Sequence, residues 1–194
     1  ARRSPRSQIG LRSALRAALA SRSFWALFGV MFFTSVTTYL VQVQLVAFLI
    51  ESGFAPLLAA SIYGMVGVLS IVGMLGAGVL AERLGERVVA TISYSCTILG
   101  IGCLALVARF PGVALLGAFV VLFGTVSGSR GPLVAVLSSR LFRGDAQATV
   151  YGIVLTGMGF GGALAAWLAG ALHDWTGQYH AGFIVSAVAA LVGL

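Results

Sequence analysis

The chain has 194 residues, of which 59% are hydrophobic and 9% are charged, whereas soluble domains are about 25% charged. One soluble core cannot bury so much apolar surface, so the solvent of this chain is lipid. The net charge is +7 and all 12 cations are arginines. Most of them cluster at the ends of apolar segments and not on a separate basic domain, which argues against a nucleic-acid partner.

A basic segment, residues 1–23, precedes the first apolar run and contains six arginines. Leu11, Leu15 and Leu19 recur at helical spacing beside some of these arginines. This pattern predicts a basic amphipathic helix that lies in the plane of the lipid headgroups. Ser23 is expected to cap the helix that follows.

Six apolar segments follow, most of them near the ~20 residues that cross ~30 Å of hydrocarbon. They cover residues 24–50, 57–80, 88–108, 112–138, 146–171 and 180–194. The last has only 15 residues and is expected to be a truncated span. Because backbone in lipid must satisfy its hydrogen bonds internally, we predict an all-α, polytopic membrane protein. Residues 24–194 then form a bundle of six transmembrane helices.

The distribution of arginine predicts the orientation of the bundle. With a cytoplasmic N-terminus, the inner segments carry ten arginines and the outer segments carry only Arg109. This asymmetry follows the positive-inside rule. We therefore expect the N-terminus in the cytoplasm.

Arg130 is the charged residue predicted to lie deepest in a span. Nine residues separate it from Ser139, which is roughly 13 Å of helix from the inner loop. Arginines at such depth nearly always face a bundle interior or a hydrated cavity, and Pro132 and neighbouring glycines loosen the helix here. We predict that Arg130 binds the carboxylate or phosphate of a substrate. The alternative is a structural arginine that caps carbonyls or reaches the inner headgroups.

Other polar residues within the spans are weaker candidates for substrate contacts. Three are singled out: Gln44, Tyr39 and Tyr151. Gln42 and Gln44 point to different faces of one helix, so one of the two is expected to line the interior. No carboxylate is predicted at mid-membrane, so a proton relay through a buried acid is not expected among these residues.

The sequence lacks a set of residues that could form a catalytic site. Ser127 and Ser129 are predicted within a span, whereas His173 and His180 are predicted at the outer rim, too far away to act as their base. Paired carboxylates, metal-ligand spacings and a phosphate-binding loop are lacking. We therefore expect neither an enzyme nor a cofactor or metal site.

The connection between the second and third spans, Gly78 to Arg87, is predicted to be a tight loop at a membrane face. Its members Gly78, Glu82, Arg83, Gly85 and Arg87 fit the pattern Gly-x-x-x-Asp-Arg-x-Gly-Arg-Arg. This resembles the signature loop of the major facilitator superfamily, which follows the second span of each six-span half. Glu82 replaces the usual aspartate, and Glu86 replaces the first arginine of the closing pair. The five residues are predicted to form a conformational latch; the alternative is a basic loop that only sets topology.

The resemblance implies that this chain is the C-terminal half of such a transporter, built as two three-helix inverted repeats. Residues 1–23 then look like the cytoplasmic linker that enters span seven, and an N-terminal six-helix half is the missing partner. The glycine-rich fifth span and the run from Ser129 to Pro132 are similar to the monocarboxylate- and oxalate-type branch. That likeness implies small organic anions as substrates and the bacterial inner membrane as the location.

The expected function is therefore that of a secondary active transporter, which moves a small carboxylate across the bilayer by alternating access. The substrate site would lie at mid-membrane, between the two halves. Two alternatives stay open at this point. One is an autonomous six-span protein that acts as a homodimer, and the other is a non-transporting membrane receptor or assembly factor.

Overall fold

A computed structural model describes residues 16–142 and 147–194 of the chain. After a short helical stretch at residues 16–20, it contains six longer helical regions: α1 (Arg22–Glu51), α2 (Pro56–Leu84), α3 (Glu86–Val107), α4 (Val113–Leu141), α5 (Gln147–Thr176) and α6 (His180–Val192). No strand occurs in these two ranges. By length and composition, α1 to α5 could each cross a membrane, and α6 is a shorter apolar helix of 13 residues. The all-helical prediction is confirmed for this part of the chain, and the inverted-repeat arrangement stays a prediction.

The start of α1 differs from the sequence-based expectation. Residues 16–20 are helical, but most of the predicted amphipathic helix lies outside the described residues. Ser21, not Ser23, caps α1, because its hydroxyl accepts a hydrogen bond from the backbone N–H of Phe24 at 3.2 Å. Such an acceptor satisfies one of the unpaired N–H groups in the first helical turn.

The connection between α2 and α3 is a single residue and not the tight ten-residue loop predicted from the sequence. Helix α2 continues to Leu84 and α3 begins at Glu86. Gly85 alone makes the turn, with a backbone φ of +87° that glycine adopts without steric cost. The charged residues of this segment therefore stand on helix ends.

Helix α4 is interrupted near its middle. A five-residue π-helix covers Val120–Gly124, and a turn at residues 128–129 separates this part from the segment Arg130–Leu141. Pro132 has no N–H to offer the carbonyl of Gly128, four residues earlier, which accounts for the turn. The helix loosening predicted around Arg130 is confirmed.

Two close crossings bring the helices together. Gly157 and Gly161 of α5 pack against the backbone of Phe28 and Phe32 in α1. In the same way, Gly73 of α2 packs against a backbone carbonyl of α4. Glycine allows such backbone-to-backbone approach, which is a common way of packing helices in lipid.

Candidate functional site

A cleft of about 240 Å³ opens between α1, α2, α4 and α5. Helix α1 contributes most of its wall: Met31, Thr34, Ser35, Thr38, Tyr39 and Gln42. The other walls are Ser70 of α2, Met158 of α5, and Ser127, Gly128 and Gly131 of α4. The lining therefore combines hydroxyl and amide groups with apolar surface, and it has no charged side chain among the described residues.

The α1 wall of the cleft follows from helical periodicity. Thr34, Thr38 and Gln42 are spaced by four residues, so their side chains lie above one another on one face. They form a polar stripe along a mostly apolar helix.

Each serine of the cleft donates its hydroxyl hydrogen to a backbone carbonyl. Ser35 donates its hydroxyl hydrogen to the carbonyl of Met158 at 2.7 Å. Ser70 donates to the carbonyl of Gly67 at 2.7 Å, and Ser127 to that of Phe123 at 2.5 Å. A hydroxyl has one hydrogen to donate and two lone pairs. These three serines therefore offer lone pairs to the cleft.

Arg130 does not line this cleft. Its side chain is 2% exposed and is packed against α3. Nε donates to the hydroxyl of Ser93 at 3.1 Å, and Nη2 donates to the carbonyl of Ser93 at 3.1 Å and to the hydroxyl of Thr97. The guanidinium carbon lies 4.0 Å from the ring centroid of Tyr94. These contacts fit the alternative of a structural arginine that caps carbonyls, and direct substrate binding by Arg130 stays a prediction.

One nitrogen of the Arg130 guanidinium has spare hydrogen-bonding capacity. Nη1 is buried and has no partner among the described residues. The surroundings of the charge are hydroxyls, a carbonyl and an aromatic face. The guanidinium is buried inside the protein.

Tyr94 joins the Arg130 niche to the cleft. Its hydroxyl shares a hydrogen bond of 2.9 Å with the hydroxyl of Thr34, which lines the cleft. The three α3 residues around Arg130 were not singled out from the sequence. The available signal was the spacing of Ser93 and Thr97, which puts two hydroxyls on one face of an apolar helix.

The remaining predicted substrate contacts lie in three different places. Tyr39 lines the cleft. Gln44 is 3% exposed and donates Nε2–H to the carbonyl of Ala169 at 3.0 Å, so Gln42 and not Gln44 faces the cleft. Tyr151 is half-buried in an apolar cluster with Phe24. The structure brings only Tyr39 of the four predicted contacts to the cleft, and the binding roles of all four stay predictions.

The sequence matches the profile of a family described as Major Facilitator Superfamily over residues 1–154 and, in an overlapping match, over residues 78–194. Together the two matches cover the whole chain. The chain belongs to the major facilitator superfamily. No individual curated protein matches it. The superfamily consists of membrane transporters for small molecules and not of enzymes.

The superfamily signature segment lies at the junction of α2 and α3. All five predicted latch residues are exposed: Gly78, Glu82, Arg83, Gly85 and Arg87. Their role as a latch stays a prediction.

Glu86, the departure from the superfamily pattern, has its own partner. Its Oε1 lies 2.6 Å from Nη1 of Arg140, the one ion pair within residues 16–142 and 147–194. Glu86 is in the first turn of α3 and Arg140 in the last turn of α4, where each charge suits the helix dipole. The pair therefore joins two neighbouring helices at their ends.

A second cavity, of about 320 Å³, lies at the opposite ends of the helices. The hydroxyl of Tyr179 donates to Oε1 of Glu51 at 3.0 Å, and the ring of His173 stacks on that of Tyr179 at 4.5 Å. Burial raises the pKa of Tyr179, and the hydrogen bond to the Glu51 carboxylate raises it further. These contacts join the loop before α6 to the end of α1.

Proposed function

We propose that this chain is one six-helix half of a secondary transporter and that it moves a small organic anion by alternating access. The observation that supports this proposal most directly is a cleft with hydroxyl and amide groups, and no charged side chain among the described residues, beside a buried arginine. Thr34 and Tyr94 connect the two. A cleft of about 240 Å³ between helices is suited to part of a small solute.

The charge of Arg130 supports an anionic solute. Its described partners are neutral groups, so no carboxylate cancels the charge within this part of the chain. At an effective dielectric constant of ~20, a unit negative charge ~8 Å away gains about 2 kcal/mol. A carboxylate in the cleft is therefore favoured over its neutral amide, even where Arg130 does not touch it. The likeness to the monocarboxylate- and oxalate-type branch points to the same substrate class.

The exposed side of the bundle supports a partner half. Helix α2 is apolar, but only Ala59, Ile62, Val66 and Ala77 of its 29 residues are buried. We propose that an N-terminal six-helix half covers part of this surface and completes the substrate site at mid-membrane. Glu82, Arg83 and Arg87 would then latch the two halves at the inner face, in a bacterial inner membrane with a cytoplasmic N-terminus.

The test is uptake of radiolabelled carboxylates by the full-length protein in proteoliposomes. Arg130→Ala should raise the KM for the transported anion at least tenfold, because the attraction of the buried cation is lost. Arg130→Lys should retain part of the affinity. Arg109→Ala, at the exposed outer end of α3, is the matched control and should leave KM unchanged.

Two results would contradict the proposal. Transport by Arg130→Ala at wild-type KM would remove Arg130 from the substrate site. Binding of a carboxylate without any uptake would instead favour a non-transporting receptor.

A further inference from the structure

We propose that the solute carries, besides its carboxylate, a second group that donates a hydrogen bond, either a hydroxyl or an ammonium. The inference rests on the proposed function and deepens it. It assigns Thr34 as a hydrogen-bond donor to the carboxylate and Tyr94 as the residue that positions the hydrogen of Thr34.

The direction of the hydrogen bond between Tyr94 and Thr34 follows from the position of Arg130. The guanidinium carbon lies 4.0 Å from the centroid of the Tyr94 ring. A cation over an aromatic face draws electron density from the ring, which makes the phenol a stronger hydrogen-bond donor. Either hydroxyl could be the donor across their 2.9 Å contact, and on this ground we assign the donor role to Tyr94.

The consequence is that Thr34 keeps its own hydrogen for the cleft. A threonine hydroxyl that accepts from Tyr94 still has one O–H to donate. Thr34 lines the cleft, and Thr38 and Gln42 extend the same stripe along α1. This wall, which we call the donor wall, suits carboxylate oxygens.

The opposite wall has the complementary chemistry. The hydroxyl hydrogens of Ser70 on α2 and Ser127 on α4 are bound to backbone carbonyls of their own helices. Both serines line the cleft and offer it lone pairs. A simple alkyl carboxylate has no hydrogen to donate to these serines, which we call the acceptor wall. A solute that also bears an O–H or N–H group can donate to them.

The experiment measures binding of four solutes of similar size to the purified full-length protein by isothermal titration calorimetry. The probes are butanoate, 3-hydroxybutanoate, 3-aminobutanoate and the neutral 3-hydroxybutanamide. We expect the hydroxy or the amino acid to bind about two- to tenfold more tightly than butanoate, because a net hydrogen bond is worth about that range. Which of the two binds more tightly identifies the second group.

Ser70→Ala combined with Ser127→Ala tests the acceptor wall. This variant should bring the ratio of the Kd of butanoate to that of the substituted acid close to one. Ser61→Ala is the matched control, because Ser61 is also on α2 and also donates to its own helix, at the carbonyl of Leu57, but lies outside the cleft.

Tyr94→Phe tests the positioning of Thr34. We expect the acids to lose about tenfold in affinity while the amide loses little, and this ratio is a readout that a merely structural role would not change. Thr34→Val should reproduce the loss and Thr34→Ser should restore affinity, which keeps the test valid if Tyr94→Phe folds poorly. Tyr63→Phe, at an exposed position on α2, is the control.

The other possible results of the calorimetry distinguish failure of this inference from failure of the proposed function. Equal binding of butanoate and the substituted acids overturns this inference and leaves an anion transporter standing. Equal binding of 3-hydroxybutanoate and its amide overturns the anionic substrate as well. If none of the four binds, the inference fails, and uptake of another anion by the same preparation would preserve the proposed function.

Discussion

The guanidinium of Arg130 occupies a niche on α3 in which the backbone and side chain of Ser93 both accept from it. Removing an ionised group from water costs several kcal/mol. Hydrogen bonds to charged groups return roughly 1.5–3 kcal/mol each, and the Tyr94 face adds a cation–π contact. A buried arginine can therefore persist here without a carboxylate.

Ser93→Ala should destabilise the protein by about 1.5–3 kcal/mol, because Nε of Arg130 loses its acceptor in a buried site. The carbonyl of Ser93 is retained, so the niche is weakened and not abolished. Ser95→Ala, at an exposed position of the same helix, is the control. Reversible unfolding of the purified protein in mixed micelles measures the difference, and equal stability of the two variants would contradict this account.

The sequence predicted the depth of Arg130 but not its partners. Depth depends on counting residues to the nearest loop, which the sequence supplies directly. The partners depend on which face of α3 turns toward α4, and a nearly uniform apolar span gives little information on rotation. The same limit applies to Gln42 and Gln44: Gly182 of α6 lies directly against the amide of Gln44, which gives Gln44 a buried position.

At the level of helices, the crossing of α2 and α4 depends on specific glycines. A Cβ added at Gly73 would collide with the backbone carbonyl of Thr125. Backbone cannot move aside as a flexible side chain can, so the two helices must separate. A Cβ added at Gly76, less than one turn further along α2, would meet no atom within 4 Å.

Gly73→Ala should therefore destabilise the protein by about 1–3 kcal/mol, the usual cost of overpacking. Gly76→Ala should be neutral or slightly stabilising, because alanine is the better helix former. Detergent-solubilised yield and apparent melting temperature measure the pair. A greater loss in Gly76→Ala than in Gly73→Ala would contradict the observed crossing.

The sequence predicted which segments are helical better than it predicted where each helix begins and ends. The predicted span at residues 57–80 corresponds to Pro56–Leu84, and the span at 146–171 corresponds to Gln147–Thr176. The observed helices extend beyond the apolar runs because charged residues can stay helical in the headgroup region. The same effect turned the predicted loop from Gly78 to Arg87 into two helix ends around Gly85. The end of an apolar run indicates where the chain leaves the hydrocarbon, and the helix can continue beyond that point.

At the scale of the whole molecule, composition determined the fold class and packing determined the site. The low charge and long apolar runs place the chain in lipid, where helices satisfy the backbone hydrogen bonds within each segment. The cleft is formed by four helices, whose lining residues range from Met31 to Met158. Only Tyr39 among the predicted contacts lines it, because a single sequence carries no direct signal of which faces converge.

The arginine asymmetry also makes a prediction about the orientation of the whole molecule. Ten arginines lie at the ends predicted to be inside and one lies outside. Leu84, at the α2–α3 junction, should therefore face the cytoplasm, and Gln178, between α5 and α6, should face the exterior. In a background with Cys96→Ala and Cys103→Ala, Gln178→Cys should react with an impermeant maleimide in intact cells. Leu84→Cys should react only after permeabilisation. The reverse pattern would invert the topology, and labelling of both in intact cells would contradict an odd number of crossings between them.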